Sequence, residues 1–121
     1  MATPTRYDLT GLRRGDSVPA VDLATVTDGA NAPVPIASAL MQIRDLRDVL
    51  ICEWSTTAGS LTITGADANV VHMERVPAMV TATWRPGPHV YDLEVTSVAG
   101  DTITVIEGTA HIAADISRRA S

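Results

Sequence analysis

Turn signals divide this chain into pieces too short for anything but strands. Asp28-Gly29-Ala30-Asn31, Thr57-Ala58-Gly59-Ser60, Gly65-Ala66-Asp67-Ala68-Asn69, Arg85-Pro86-Gly87-Pro88 and Ala99-Gly100-Asp101 interrupt it, and the intervals leave little room for a long helix. Between these breaks apolar and polar residues alternate with a period of two, the signature of a half-buried strand. Valine, isoleucine and threonine make up roughly a third of the residues, as pleated surfaces favour. Seven or eight short strands with a turn about every ten residues predict a two-sheet, antiparallel all-β sandwich rather than alternating α/β units. No internal repeat or interdomain linker divides the 121 residues, so the expectation is one domain over 1–121. A short N-terminal arm, 1–12, and a polar C-terminal tail, 117–121, flank it.

The strands themselves are readable. Tyr7 and Leu9 alternate with polar neighbours, which fits a short edge strand or an extended arm. Val21 and Leu23 share one face with Asp22 on the other, and Pro19 confines that segment to an edge or a strand start. Runs 39–44 and 49–55, joined by Asp45-Leu46-Arg47-Asp48, predict a hairpin, and 61–64 with 69–75 predict a second. Residues 76–84 fit either a helical turn after Pro77 or a strand through Val80, Ala82 and Trp84. In the last pair, Tyr91, Leu93 and Val95 alternate cleanly. Beyond Ile103 and Val105 the parity changes to Ala110 and Ile112. Strict alternation would bury Glu107, so a β-bulge is predicted near 105–108.

Charge and composition exclude several functions. Nine arginines and no lysine stand against fourteen acidic residues, a net charge of −5, which argues against a general nucleic-acid binder. No apolar run is long enough for a membrane span. A single cysteine, Cys52, excludes an internal disulfide and a cysteine-rich zinc site. The first residues carry no basic-then-apolar leader pattern, so the expected place of synthesis and residence is the cell interior.

A search for chemistry returns no converging set. His72, His89 and His111 lack partners at metal-ligand spacing, and His72 reads as a solvated strand residue. Cys52 alternates with Leu50 and Trp54 and has no basic neighbour to stabilise a thiolate, so it reads as buried and inert. Asp92 and Glu94 fall on the outward face of a strand. Arg14-Gly15-Asp16 matches the tripeptide that integrins recognise, but reads as a polar turn before a strand. The expectation is a non-enzymatic protein with no cofactor and no bound metal.

The order of short motifs resembles a known family. Arg14-Gly15-Asp16-Ser17 precedes a strand ending Val21-Asp22-Leu23. Met41-Gln42-Ile43-Arg44-Asp45, Glu53-Trp54-Ser55-Thr56, Leu61-Thr62-Ile63, Trp84-Arg85-Pro86-Gly87 and Tyr91-Asp92-Leu93-Glu94-Val95 follow. Ile106-Glu107-Gly108-Thr109-Ala110-His111-Ile112 and Asp115-Ile116-Ser117-Arg118 close the series, which spans about residues 12–118. Together they resemble small phage and prophage proteins related to the N-terminal domain of the phage baseplate upper protein. That resemblance implies an immunoglobulin-like β-sandwich and a virion structural role in a tail, baseplate or neck. The virion would be its location, after synthesis in the host cytoplasm, and its partners would be other phage structural proteins and copies of itself. The helical linker and fibre-holding region of a full baseplate upper protein do not follow the sandwich. Capsid decoration is therefore an alternative, and a carbohydrate-binding module a second one.

Contacts in such an assembly are expected at the N-terminal arm (Arg6, Tyr7, Arg13, Arg14), at Trp84 and Arg85 before the proline turn, and at Arg118 and Arg119. Arginine and aromatic residues dominate interface hot spots, which is the reason for choosing them. For sugar stacking only Trp84 and Tyr7 are expected at the surface, because Trp54 and Tyr91 alternate inward.

Overall fold

The computed structural model describes residues 5–114 of the chain. In chain order the elements are β1 (Thr5–Arg6), β2 (Leu9–Arg13), β3 (Val21–Thr25), β4 (Ile36–Asp45), β5 (Leu50–Ser55), β6 (Leu61–Thr64) and β7 (Val70–Met73). A helical turn α1 (Ala78–Thr81) follows, then β8 (Gly87–Ser97) and β9 (Thr102–Ala113). The larger sheet runs β1-β9-β8-β4-β5, with β2 also pairing β9; the smaller runs β3-β7-β6. This is the all-β, immunoglobulin-like sandwich that turn spacing and resemblance predicted.

Two features depart from expectation. The described residues form nine strands, and the N-terminal pair is parallel to its neighbour. Thr5 and Arg6 pair with Ile106 and Glu107, and Leu9 and Leu12 with Ala110 and Ile112. From Thr5 onward the predicted arm is thus a broken edge strand of the larger sheet. The predicted tail at 117–121 lies outside the described residues.

The core follows from alternation along the two central strands. Ile43, Leu93 and Val95 are fully buried on β4 and β8, with Ile112 from β9 and Leu61 and Val71 from the smaller sheet. Each such side chain contributes about 1.5–3 kcal/mol relative to exposure. The hairpins β4–β5 and β6–β7 form at the predicted places. The predicted bulge is present: Leu93 opposes Ile106 while Glu94 opposes Thr104, which leaves Val105 as the extra residue on β9. That one residue turns Glu107 outward and Ala110 and Ile112 inward.

The ambiguous segment 76–84 is a helical turn. Pro77 caps it with φ −71°, and Thr81 is fully buried beneath it. The Thr81 hydroxyl accepts from the Gly15 amide at 3.0 Å and donates to the Asp16 carbonyl at 2.8 Å. Arg14 Nε donates to the Ala82 carbonyl at 2.8 Å. The Arg14-Gly15-Asp16 tripeptide is therefore a turn pinned to α1, with Gly15 at φ +87° supplying the reversal.

Candidate binding surface

An apolar concavity lies where the two sheets part, between β2 and β3. It encloses about 380 Å³, and Leu9, Leu12, Val18, Val21 and Leu23 form its walls. Met41, Trp54 and Met73 also line it, reaching in from the core. Local sequence explains the walls. Gly11 at φ +78° inserts an extra residue between Leu9 and Leu12, so two leucines three positions apart both reach the groove. On the opposite wall Val21 and Leu23 both line the groove across a register shift between Asp22 and Ala24, and Val21 is 46% exposed. A two-way bridge between Val18 and Val76, 2.9 and 2.8 Å, fixes the loop that leads into β3.

Arg13 is the one ionisable side chain lining this groove among the described residues. Its guanidinium donates to the Ala114 carbonyl at 2.9 Å, which holds the group at the end of β2.

The other expected contact residues fall elsewhere. Arg6 stands on β1 beside Asp8, 3.5 Å away. Tyr7 is 60% exposed while its carbonyl accepts from the Tyr91 hydroxyl. Arg85 reaches Asp45 at 3.5 Å and so ties the proline turn to the β4–β5 hairpin. Trp84 corrects the expectation: it is 2% exposed and packs edge-on against Trp54, ring centroids 5.7 Å apart at 73°. A turn residue was expected outside, but the helical turn folds it back over the core. Arg118 and Arg119 lie outside the described residues. With Trp54, Trp84 and Tyr91 all buried, Tyr7 alone among the aromatics is exposed, and no stacking platform for a sugar exists.

A second, more polar concavity of about 620 Å³ opens on the outer face of the larger sheet. Asp92 stands there directly across from Glu107 and next to Gln42. Burial, with Glu94 and Glu107 adding repulsion, raises the Asp92 carboxyl above its ordinary value, and Arg44 offsets part of this. A carboxyl whose pKa is raised by folding costs stability once ionised. The cost is absent below the unfolded pKa and complete above the folded one. Asp92→Asn should therefore stabilise the protein by about 0.5 kcal/mol at pH 7, the scale of a like-charge cross-strand pair. The gain should vanish in denaturation curves recorded below about pH 4, where the unfolded carboxyl is protonated.

Two of the histidines have structural partners. His72 Nδ1 meets Asp22 at 2.7 Å across β3 and β7. His89, expected only at a strand entry, is 2% exposed; its Nε2 donates to the Arg85 carbonyl at 2.7 Å and its Nδ1 has no protein partner. Cys52 is half-buried, and burial pushes its thiol up to about 12. Alkylation by iodoacetamide at pH 8 should consequently run at least tenfold slower than for a free thiol of pKa near 8.5. Among the described residues no three His, Cys, Asp or Glu side chains converge as a metal site would require.

No protein-family model matches the chain. No curated protein matches it either. Among solved structures the fold is similar to that of CopC from Methylosinus trichosporium OB3b, at 13% sequence identity and a TM-score of 0.50. The likeness covers 98% of this chain and 91% of that one.

This corrects the functional expectation. A solved structure sharing the fold end to end is CopC, which is no virion component, and the expected tail, baseplate, neck or capsid role is not carried forward. The physical reason lies in the motifs. Arg44-Asp45 and Arg85-Pro86-Gly87 are joined by the Asp45–Arg85 pair, and Arg14-Gly15-Asp16 is a turn on α1. Tyr91 and Gly108 both meet Tyr7. These motifs thus have work to do within the sandwich itself, while Asp115-Ile116-Ser117-Arg118 lies outside the described residues.

Proposed function

We propose that this chain is a non-enzymatic binding module that holds a partner polypeptide in the groove between β2 and β3. One observation carries the reading. The sandwich leaves a concavity of about 380 Å³ whose walls are apolar and whose outer lip, Val21, is 46% exposed. Apolar surface in a concave site is the usual basis of recognition, because a ligand there removes area from water on both partners. Arg13 at the groove's end adds a charged contact and favours a segment carrying an acidic residue. The likeness to CopC supports the sandwich and contributes no ligand set.

The test is selection from a random twelve-residue peptide library, followed by titration calorimetry on wild-type protein and Val21→Glu. Val21 is exposed enough for the substitution to leave folding intact, which circular dichroism would verify. Selected peptides should be rich in apolar residues and lose at least tenfold in affinity for the variant. Failure to select any peptide, or equal affinity for both proteins, overturns the reading.

A further inference from the structure

The groove is part of a longer opening. A second concavity of about 310 Å³ lies between residues 23–27 and residues 103–106, with Thr5 at its edge. Leu23 lines both, so open space accompanies β3 along its length. The sheets are unequal: the path of the larger contains β1, β9, β8, β4 and β5 with β2 beside them, against three strands in the smaller. The smaller sheet ends at β3, whose outer edge pairs no strand among the described residues. Opposite that gap Leu9, Leu12, Ile103 and Val105 are only half-buried. A sheet edge with unpaired main-chain groups beside uncovered apolar side chains is the template used in β-strand addition.

We infer that the position beside β3, which no strand of the described residues occupies, is a strand site filled by an extended segment of the partner polypeptide that becomes the fourth strand of the smaller sheet. This rests on the binding reading above and specifies its chemistry. About five residues span the length of β3 at 3.3 Å each, pairing regularly on either side of the register shift between Asp22 and Ala24. Alternate side chains of the segment would fall on Leu9, Leu12, Ile103 and Val105, so every second residue is apolar. Thr5 and Thr25 line one end of the opening, and Arg13 and Val21 the other. An Asp or Glu in the segment therefore sits at the Val21 end, within reach of Arg13. Proline is excluded wherever the segment must donate a main-chain hydrogen bond.

The experiment uses the peptides selected against the full chain, each resynthesised with single N-methyl groups at successive positions. N-methylation at alternate positions should lower affinity at least tenfold, with little effect between them. Amide exchange of residues 21–25 should slow at least tenfold in the complex. Arg13→Glu should change the selected acidic residue to Lys or Arg. Peptides that bind in a Val21-dependent way yet tolerate every N-methyl group, and leave exchange in β3 unchanged, overturn strand addition while the binding module stands. The same result identifies a side-chain-only occupant. If the library yields no binder at all, the binding reading itself falls. Loss of binding to wild-type protein as the chain self-associates would identify a second copy as the occupant and overturn the heterologous partner.

Discussion

Replacing Gly108 by alanine should detach the N-terminal strands and cost the protein about 2–3 kcal/mol, the scale of an overpacked contact that also loses hydrogen bonds. A Cβ at position 108 would lie 2.2 Å from the Tyr7 carbonyl oxygen, 2.8 Å from its carbon and 2.9 Å from Asp8 Oδ1. Two of these atoms are backbone, so no rotamer change relieves the clash. Residues 7 and 8 must move away, and three bonds go with them. The Tyr91 hydroxyl loses the Tyr7 carbonyl. Tyr7 loses its 3.0 Å bond to the Glu107 carbonyl, and the Thr109 amide its 3.0 Å bond to Asp8.

Urea denaturation measures the loss, and trypsin locates it. Cleavage after Arg6 and Arg13 should accelerate, because a strand released from its sheet becomes a protease substrate. An unchanged urea midpoint together with an unchanged cleavage pattern would show that the arm does not dock as described. There is also a pH signature. Hydrogen bonding from Thr109, with Arg6 contributing, lowers the Asp8 carboxyl below its ordinary value. A carboxyl lowered by folding adds stability above the unfolded pKa and loses it as pH falls through the folded value. In Gly108→Ala this part of the acid limb should flatten.

Trp84→Ala should be still more damaging, at about 3–5 kcal/mol, the usual loss for truncating a buried aromatic. Against a total stability of about 5–15 kcal/mol for a domain of this kind, that threatens the native state. Trp84 is 2% exposed and makes the edge-to-face contact with Trp54, whose own ring lines the groove. Thermal unfolding followed by circular dichroism reads the stability, and the emission of the remaining Trp54 reads its environment. Tyr7→Ala is the contrasting variant. The Tyr7 side chain is 60% exposed, and its role in the arm belongs to its main chain. Its stability should stay within about 0.5 kcal/mol of wild type. If Trp84→Ala proved as mild as Tyr7→Ala, the packing of the proline turn over the core would be wrong.

The two aromatics show where sequence reading succeeds and where it stops. Both were expected at the surface, Tyr7 from an arm and Trp84 from a break before Arg85-Pro86-Gly87-Pro88. For Tyr7 local polarity was a sufficient guide. For Trp84 it was not, because a single helical turn reverses the side chain and its burial depends on Trp54, thirty positions earlier in the chain. The groove walls divide the same way. That Val21 and Leu23 both reach the groove agrees with their spacing, although β3 shifts register between Asp22 and Ala24. Leu9 and Leu12 sharing a face was not legible in theirs, because Gly11 breaks the period of two only through a left-handed backbone.

The class of fold, the two hairpins and the bulge at Val105 are legible in the order of residues. These depend on interactions between near neighbours: alternation that buries one face, and glycine, proline and asparagine at positions that must turn. Even a change of parity is visible there, because a charged Glu107 in the core would cost more than an extra residue in the strand. Contacts between distant strands set the parallel course of the N-terminal arm along β9, the closest approach at Gly108 and, among the described residues, six strands against three. Those outcomes are set by contacts between residues up to a hundred positions apart, for which alternation along one strand carries no information. The open edge beside β3 belongs to this second kind. It exists because the smaller sheet is too narrow to cover the larger, a property of the assembled sheets that no single strand carries.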